Sequence, residues 1–165
     1  MSNESRILLE GEEQILAMLL EQMHAVRRYY HLYTPGLPPA LFEHPDYLSA
    51  IRARVAEQPR IRMQFILPGA KAWRRQCPQF LQLSERLRSA MHLRVLPTEE
   101  PRERELFQRL FAVGDRSSVL ELADLHRLLG GYQHRHQARA RQLLSFFNEI
   151  WEKSGPDPEL RRLMI

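Results

Sequence analysis

The sequence predicts an α/β fold: a mixed, mostly parallel sheet with helices on both faces, closed by a C-terminal hairpin and a long helix. Three observations carry this. Residues 7–97 alternate short apolar or alternating runs, the period of a strand, with segments whose apolar residues recur at helical spacing. Pro35-Gly36 and Pro68-Gly69 stop two of those runs in the same way. Leu110–Gly114 and Ser118–Leu122 flank a polar Asp115-Arg116-Ser117 turn, the mark of a hairpin, and a long helix ending Phe-Phe-Asn-Glu-Ile-Trp follows.

In order, Ile7-Leu8-Leu9 is a short strand, and Gly11 leads into a helix from Glu12 to about His24. Ile15, Met18, Leu19 and Met23 fall on one side of it, and Glu12 and Glu13 suit the positive end of its dipole. Arg28–Thr34 is an aromatic-rich strand, on which Tyr29, His31 and Tyr33 share one face and Tyr30 and Leu32 the other. Pro38-Pro39 marks a loop. A helix from Pro45-Asp46 to about Gln58 buries Tyr47, Leu48, Ile51 and Val55, and Arg60–Leu67 alternates cation or polar with apolar as a strand does. After a loop at 71–75, a helix from Pro78 to Ser89 carries Phe80, Leu81, Leu83 and Leu87, and Met91–Pro97 is the next strand. Such βαβ succession implies parallel pairing. Thr98–Glu105 is a surface loop or short helical turn. The final helix is expected from about His134 to Lys153, where Pro156 and Pro158 end it, leaving 153–165 as a C-terminal tail.

At 165 residues the chain is most simply a single domain, 1–165, large enough to bury about two thirds of its unfolded surface. One cysteine, Cys77, excludes an internal disulfide and fits a reducing compartment. The N-terminal residues lack an apolar secretory stretch, and no apolar run approaches the roughly 20 residues a bilayer demands. A soluble cytoplasmic protein without membrane contact is expected. The net charge of +4 and a pI near 9.6 favour an anionic partner. Of 24 cations only Lys71 and Lys153 are lysines. Arginine suits bidentate phosphate binding, although the genome's codon composition is an equally simple source of such a bias.

The order of strands, the Asp turn, the hairpin and the Phe147-to-Trp151 helix pattern resemble one phospholipase D-like domain across nearly the whole chain. The resemblance also extends to small bacterial domains of undefined activity related to that fold. Members of the family carry His-x-Lys-x-x-x-x-Asp, in which His attacks phosphorus, Lys holds phosphate oxygens and Asp orients the imidazole. Anchoring that Asp on Asp115 puts Leu110 where the Lys belongs and Gln108 where the His belongs, and Leu122 and Ala123 replace the small residues after the second strand. Gln has no nucleophilic nitrogen and Leu cannot neutralise phosphate. The resemblance thus implies the fold, a degenerate active site with Asp115 as its remnant, and a homodimer, since family members of this size work as pairs.

Two basic clusters stand out. His134, Arg135, His136, Arg139 and Arg141 gather near Gly130-Gly131, at a helix start where the dipole disfavours cations unless an anion is held. The functional reading is a phosphate contact, and the plainer one a solvated helix face. Lys71, Trp73, Arg74 and Arg75 follow a strand end, the usual ligand side of a parallel sheet. There two arginines and an indole grip phosphate and stack a base, or else Trp73 caps the core. Cys77 reads as a buried small hydrophobe and His31 as a core histidine. His126, His134 and His136 lack metal-ligand spacing, so no metal and no cofactor is expected. Walker, Gly-x-Gly-x-x-Gly, Gly-x-Ser-x-Gly and Cys-x-x-Cys motifs are absent. The expected function is a non-catalytic binding module for an anionic partner, nucleic acid or another phosphorylated ligand. The alternatives are a protein-interaction or scaffold domain, or a divergent phosphodiesterase using His134 or His136.

Overall fold

The computed structural model describes residues 5–97 and 104–155. The strands are β1 (Ile7–Glu10), β2 (Tyr29–Tyr33), β3 (Arg62–Leu67), β4 (Met91–Val95), β5 (Leu110–Gly114), β6 (Ser118–Asp124) and β7 (Leu129–Gln133). The helices are α1 (Glu12–Ala25), α2 (Pro39–Phe42), α3 (Pro45–Glu57), α4 (Ala70–Gln76), α5 (Pro78–Arg86), α6 (Arg104–Phe107) and α7 (Gln137–Lys153). The tail from residue 156 and most of the charged stretch at 98–105 lie outside the described residues.

One seven-stranded mixed sheet in the order β1-β7-β6-β5-β2-β3-β4 joins all the strands. Its parallel part is smaller than the βαβ reading implies. Only β2–β3 and β3–β4 pair in parallel, and the other four pairings are antiparallel. For β5–β6 and β6–β7 the reason is the short turns, since Asp115–Ser117 and 125–128 can join only antiparallel neighbours. β7 is a further departure from the sequence reading, because Gly130-Gly131 looks like a turn but lies in the sheet. A Cβ at Gly130 would sit 2.0 Å from the Glu121 carbonyl oxygen, and one at Gly131 2.1 Å from Arg6 Nε. Glycine here allows close strand approach beside the irregularity at Leu122/Asp124 of β6.

Residue parity sorts the core onto two faces. Tyr30, Leu32, Met63, Phe65, Leu110 and Leu120 meet α1–α5 on one side. Tyr33, Ile66, Phe111, Val113 and Val119 meet Leu143, Phe146, Phe147 and Ile150 of α7 on the other, where α6 adds Leu106 and Phe107. Segments expected as loops at 39–42 and 71–75 are the short helices α2 and α4. The expected start of the last helix at His134 moves to Gln137. His136 caps it instead, with Nδ1 accepting the Arg139 N–H at 3.1 Å and its own N–H donating to the Ser117 carbonyl at 2.9 Å. His134 and Arg135 therefore sit on the connection from β7, ahead of the helix.

Candidate functional site

Strand alternation turns Tyr29, His31 and Tyr33 of β2 toward α7. Register then sets Arg62 beside Tyr29, Gln64 beside His31, and His92 beside Gln64 on the same face. Tyr33 disappears beneath the helix among Phe111 and Phe146, while His31 meets Phe147 edge-on at 5.0 Å. On α7, Arg141, Leu144, Ser145 and Asn148 recur at helical spacing along the side next to these strands. The Asp115-Arg116 turn, with φ of 48° and 60°, adds Arg116 at the end. Two adjoining cavities result. One of about 310 Å³ lies between Tyr29, His31, Arg62 and Gln64 of the sheet and Leu144 and Asn148 of α7, with Arg116 at its side. The second, about 610 Å³, shares Arg116, Leu144 and Asn148 and continues to Asp115, Gln137, Arg141 and Ser145.

This cleft is cationic. Arg62, Arg116 and Arg141 are exposed, and none of them joins an ion pair among the described residues. Arg116 lies 4.6 Å above the Tyr29 ring, a cation–π contact that holds the guanidinium at the mouth. Asp115, the one carboxylate in the lining, is occupied elsewhere: it accepts the backbone N–H groups of Arg27, Arg28 and Tyr29 at 2.9, 2.8 and 3.0 Å. His31 forms the floor. It is 9% exposed and its Nδ1 has no hydrogen-bond partner. Burial lowers its pKa to about 4, and nearby Arg116 pushes the same way against a hydrogen bond with Gln64. The imidazole is neutral at pH 7.

The two clusters singled out in the sequence do not come together. α4 follows the Leu67 end of β3, whereas His136 lies by Ser117, next to the Tyr29 end of β2. One strand length, roughly 20 Å, separates them. Lys71, Arg74 and Arg75 are exposed on α4, but Trp73 is 1% exposed and belongs to the core, so its indole offers no stacking surface. Arg139 is held by the Glu121 carboxylate at 2.6 and 3.0 Å and by Gln142 at 2.8 Å. His134 and Arg135 face solvent. Of these nine residues, only Arg141 lines the cleft. Cys77 is buried, which pushes its thiol up to about 11 and away from nucleophilic use. Among the described residues no three of His, Cys, Asp and Glu group as metal ligands, and His126 lies on the exposed β6–β7 turn. The sequence did carry a signal for Arg62 and Gln64, in the cation–apolar alternation of β3. Only the β2–β3 register connects it to Tyr29 and His31.

At the other end of β5, Gln108 is exposed and Leu110 fully buried. Asp115 lies a strand away from both, so it cannot orient a group at position 108. Its contacts make it a backbone clamp between α1 and β2.

A family model, Domain of unknown function (DUF7931), matches residues 11–163. No curated protein matches the sequence. Among the solved structures that resemble the fold are these three. TrmBL2, an archaeal chromatin protein described as showing a novel mode of DNA binding, is 16% identical with a TM-score of 0.63, over 93% of this chain and 55% of its own. NucT from Helicobacter pylori is 12% identical with a TM-score of 0.63, over 92% of this chain and 98% of its own. The phosphatidylserine synthase of Haemophilus influenzae Rd KW20 is 14% identical with a TM-score of 0.60, over 90% of this chain and 37% of its own. This chain thus spans about half of the first and little over a third of the last. The likeness supports a phospholipase D-like α/β fold. No helix among the described residues is long and apolar enough to cross a membrane.

Proposed function

The chain belongs to the DUF7931 family, and we propose that it is a non-catalytic binding module for an anionic ligand, nucleic acid first, which docks in the cleft beside α7. The observation that carries this is the convergence of Arg62, Arg116 and Arg141 on one cleft without an acidic partner among the described residues. Three desolvatable guanidiniums around a polar floor suit phosphate oxygens. A fold neighbour described as a DNA-binding chromatin protein is compatible with it. The reading without chemistry draws on the phospholipase D-like resemblance, whose motif, anchored on Asp115, would put Gln108 and Leu110 where its nucleophile and phosphate-holding lysine belong. The test is fluorescence anisotropy with labelled single- and double-stranded RNA and DNA at low and moderate salt. Micromolar binding that weakens with salt and falls in the Arg116→Ala/Arg141→Ala double variant supports the cleft. Binding that ignores salt, or survives both substitutions unchanged, refutes it.

A second reading, a protein-interaction domain that pairs with itself or another chain, draws on β1. This edge strand leaves Ile7 49% and Leu8 75% exposed on an edge that no other strand covers among the described residues. Leu8→Glu should abolish concentration-dependent association on a sizing column; a wild-type protein that stays monomeric at high concentration sinks the reading.

A further inference from the structure

The edge strand β1 carries its charges in a self-complementary order. The Gly11 N–H donates to the Leu128 carbonyl at 2.9 Å, so in the β1–β7 register Ile7 and Leu9 also turn their backbone groups to β7. Arg6, Leu8 and Glu10 turn theirs to the open edge. The Glu10 N–H agrees with this parity, since it donates to Gln14 Oε1 at 2.9 Å. Side chains alternate in the same way. Leu9 is buried in the core beneath α1–α5. Leu8 stands exposed on the opposite face of the sheet, between Glu10 and Arg6, whose side chain lies across Gly131. Arg6 and Glu10 are exposed, and neither joins an ion pair among the described residues. Antiparallel pairing of two β1 strands about Leu8 sets the two leucines together and puts Arg6 opposite the partner's Glu10 at both ends. Their Cβ atoms then lie about 5 Å apart, close enough for apolar contact at the centre and ion pairs outside it. The Leu8 N–H and carbonyl exchange bonds with their counterparts. The Arg6 N–H donates to the carbonyl of the partner's Glu10, whose own N–H keeps Gln14. A register displaced by two residues faces a charge with Leu8, and parallel pairing sets like charges side by side.

Resting on the protein-interaction reading, we infer that the partner is a second copy of this chain. Two copies join their sheets through β1, antiparallel and centred on Leu8, with Arg6 of each paired to the partner's Glu10. The same edge serves both copies, and the opposite edge of the sheet is the unlike strand β4, so association closes at two. A ribbon this short is smaller than a standard interface, which sets the dissociation constant near about 100 µM.

Sedimentation velocity at low salt, from about 10 µM to about 1 mM, reads the association. The wild type should pass from monomer to dimer across that range and stop there. Arg6→Glu and Glu10→Arg, each alone, set like charges at both ends of the ribbon and should weaken the dimer about tenfold. Mixed in equal amounts, the two variants should associate as the wild type does, because each then meets opposite charge at both ends. The double variant Arg6→Glu/Glu10→Arg should dimerise by itself. The gap between single variants and wild type should narrow as salt rises. Recovery in the mixture cannot come from a misfolded chain, so it separates pairing from stability. A dimer indifferent to both single reversals, or a mixture no better associated than its components, overturns the self-paired register and leaves the interaction reading standing. A wild type that stays monomeric throughout overturns both.

Discussion

Asp115 gives the most direct test of what the turn between β5 and β6 does. Its Oδ1 accepts from Arg28 and Tyr29 and its Oδ2 from Arg27, so one side chain fixes the whole passage from the end of α1 to the start of β2. Asp115→Ala frees three N–H groups. Those of Arg27 and Arg28 are at the surface and regain water; that of Tyr29 is half-buried. Hydrogen bonds to a charged group contribute about 1.5–3 kcal/mol each when shielded, and with solvent taking two of the three the set amounts to about 2 kcal/mol. The residue also has φ of 48°, which Ala tolerates worse than Asp by roughly 1 kcal/mol. Asp115→Ala should therefore cost about 3 kcal/mol. Asp115→Asn keeps Oδ1 and the tolerance for positive φ but turns an amide toward the Arg27 N–H, and should cost only about 1 kcal/mol. Urea unfolding at constant m-value reads both. Two variants within about 0.5 kcal/mol of the wild type would refute the clamp, as would an Asn variant as unstable as the Ala one.

If all three cleft arginines meet phosphates of a single strand, log affinity should fall with log salt at a slope of about −2, roughly a twentyfold loss between 50 and 200 mM; each arginine removed should flatten the slope by about 0.7 in the anisotropy titration. Gly130→Ala forces a Cβ against the Glu121 carbonyl at 2.0 Å and should cost more than about 2 kcal/mol in thermal unfolding, whereas Gly155→Ala, with nothing within 4 Å, should be near neutral. His31 has its folded pKa lowered from 6.5 to about 4. Between those values the unfolded chain binds the extra proton, so stability present above pH 6.5 is lost as pH falls toward 4, by up to about 3 kcal/mol from this residue. His31→Gln should show a correspondingly shallower acid limb in urea melts from pH 7 to 4; an unchanged limb contradicts a neutral buried ring.

The helices that read clearly from the sequence, α1, α3, α5 and α7, each bury one apolar stripe, and the aromatic strand β2 announced both its faces. β7 did not, because two glycines placed for close strand approach look the same as glycines placed for a turn. α4 was hidden by the Pro68-Gly69 stop before it and the basic residues within it. The cleft was less legible still. Its cations lie at 62, 116 and 141, brought together by register and a turn, while sequence proximity favoured other cations. Arg135, Arg139 and Arg141 are neighbours in the chain, yet one precedes the helix, one is occupied by Glu121, and one reaches the cleft. Trp73 beside three cations looked like a binding loop because composition does not record which side of a short helix is buried.

α7 is the main cover of its face, while five helices share the other. Its attachment as one unit rests on Phe146, Phe147 and Ile150, on Arg139 to Glu121, and on Arg94 to the carbonyls of Trp151 and Ser154. The cleft exists only while that unit is docked, because Leu144 and Asn148 are one of its walls. Occupancy and docking are then a single equilibrium: a ligand at a hundred times its Kd adds about 2.7 kcal/mol to the helix's hold. Conversely, a change as remote as the loss of Arg94 should lower affinity for a cleft ligand without touching a lining residue.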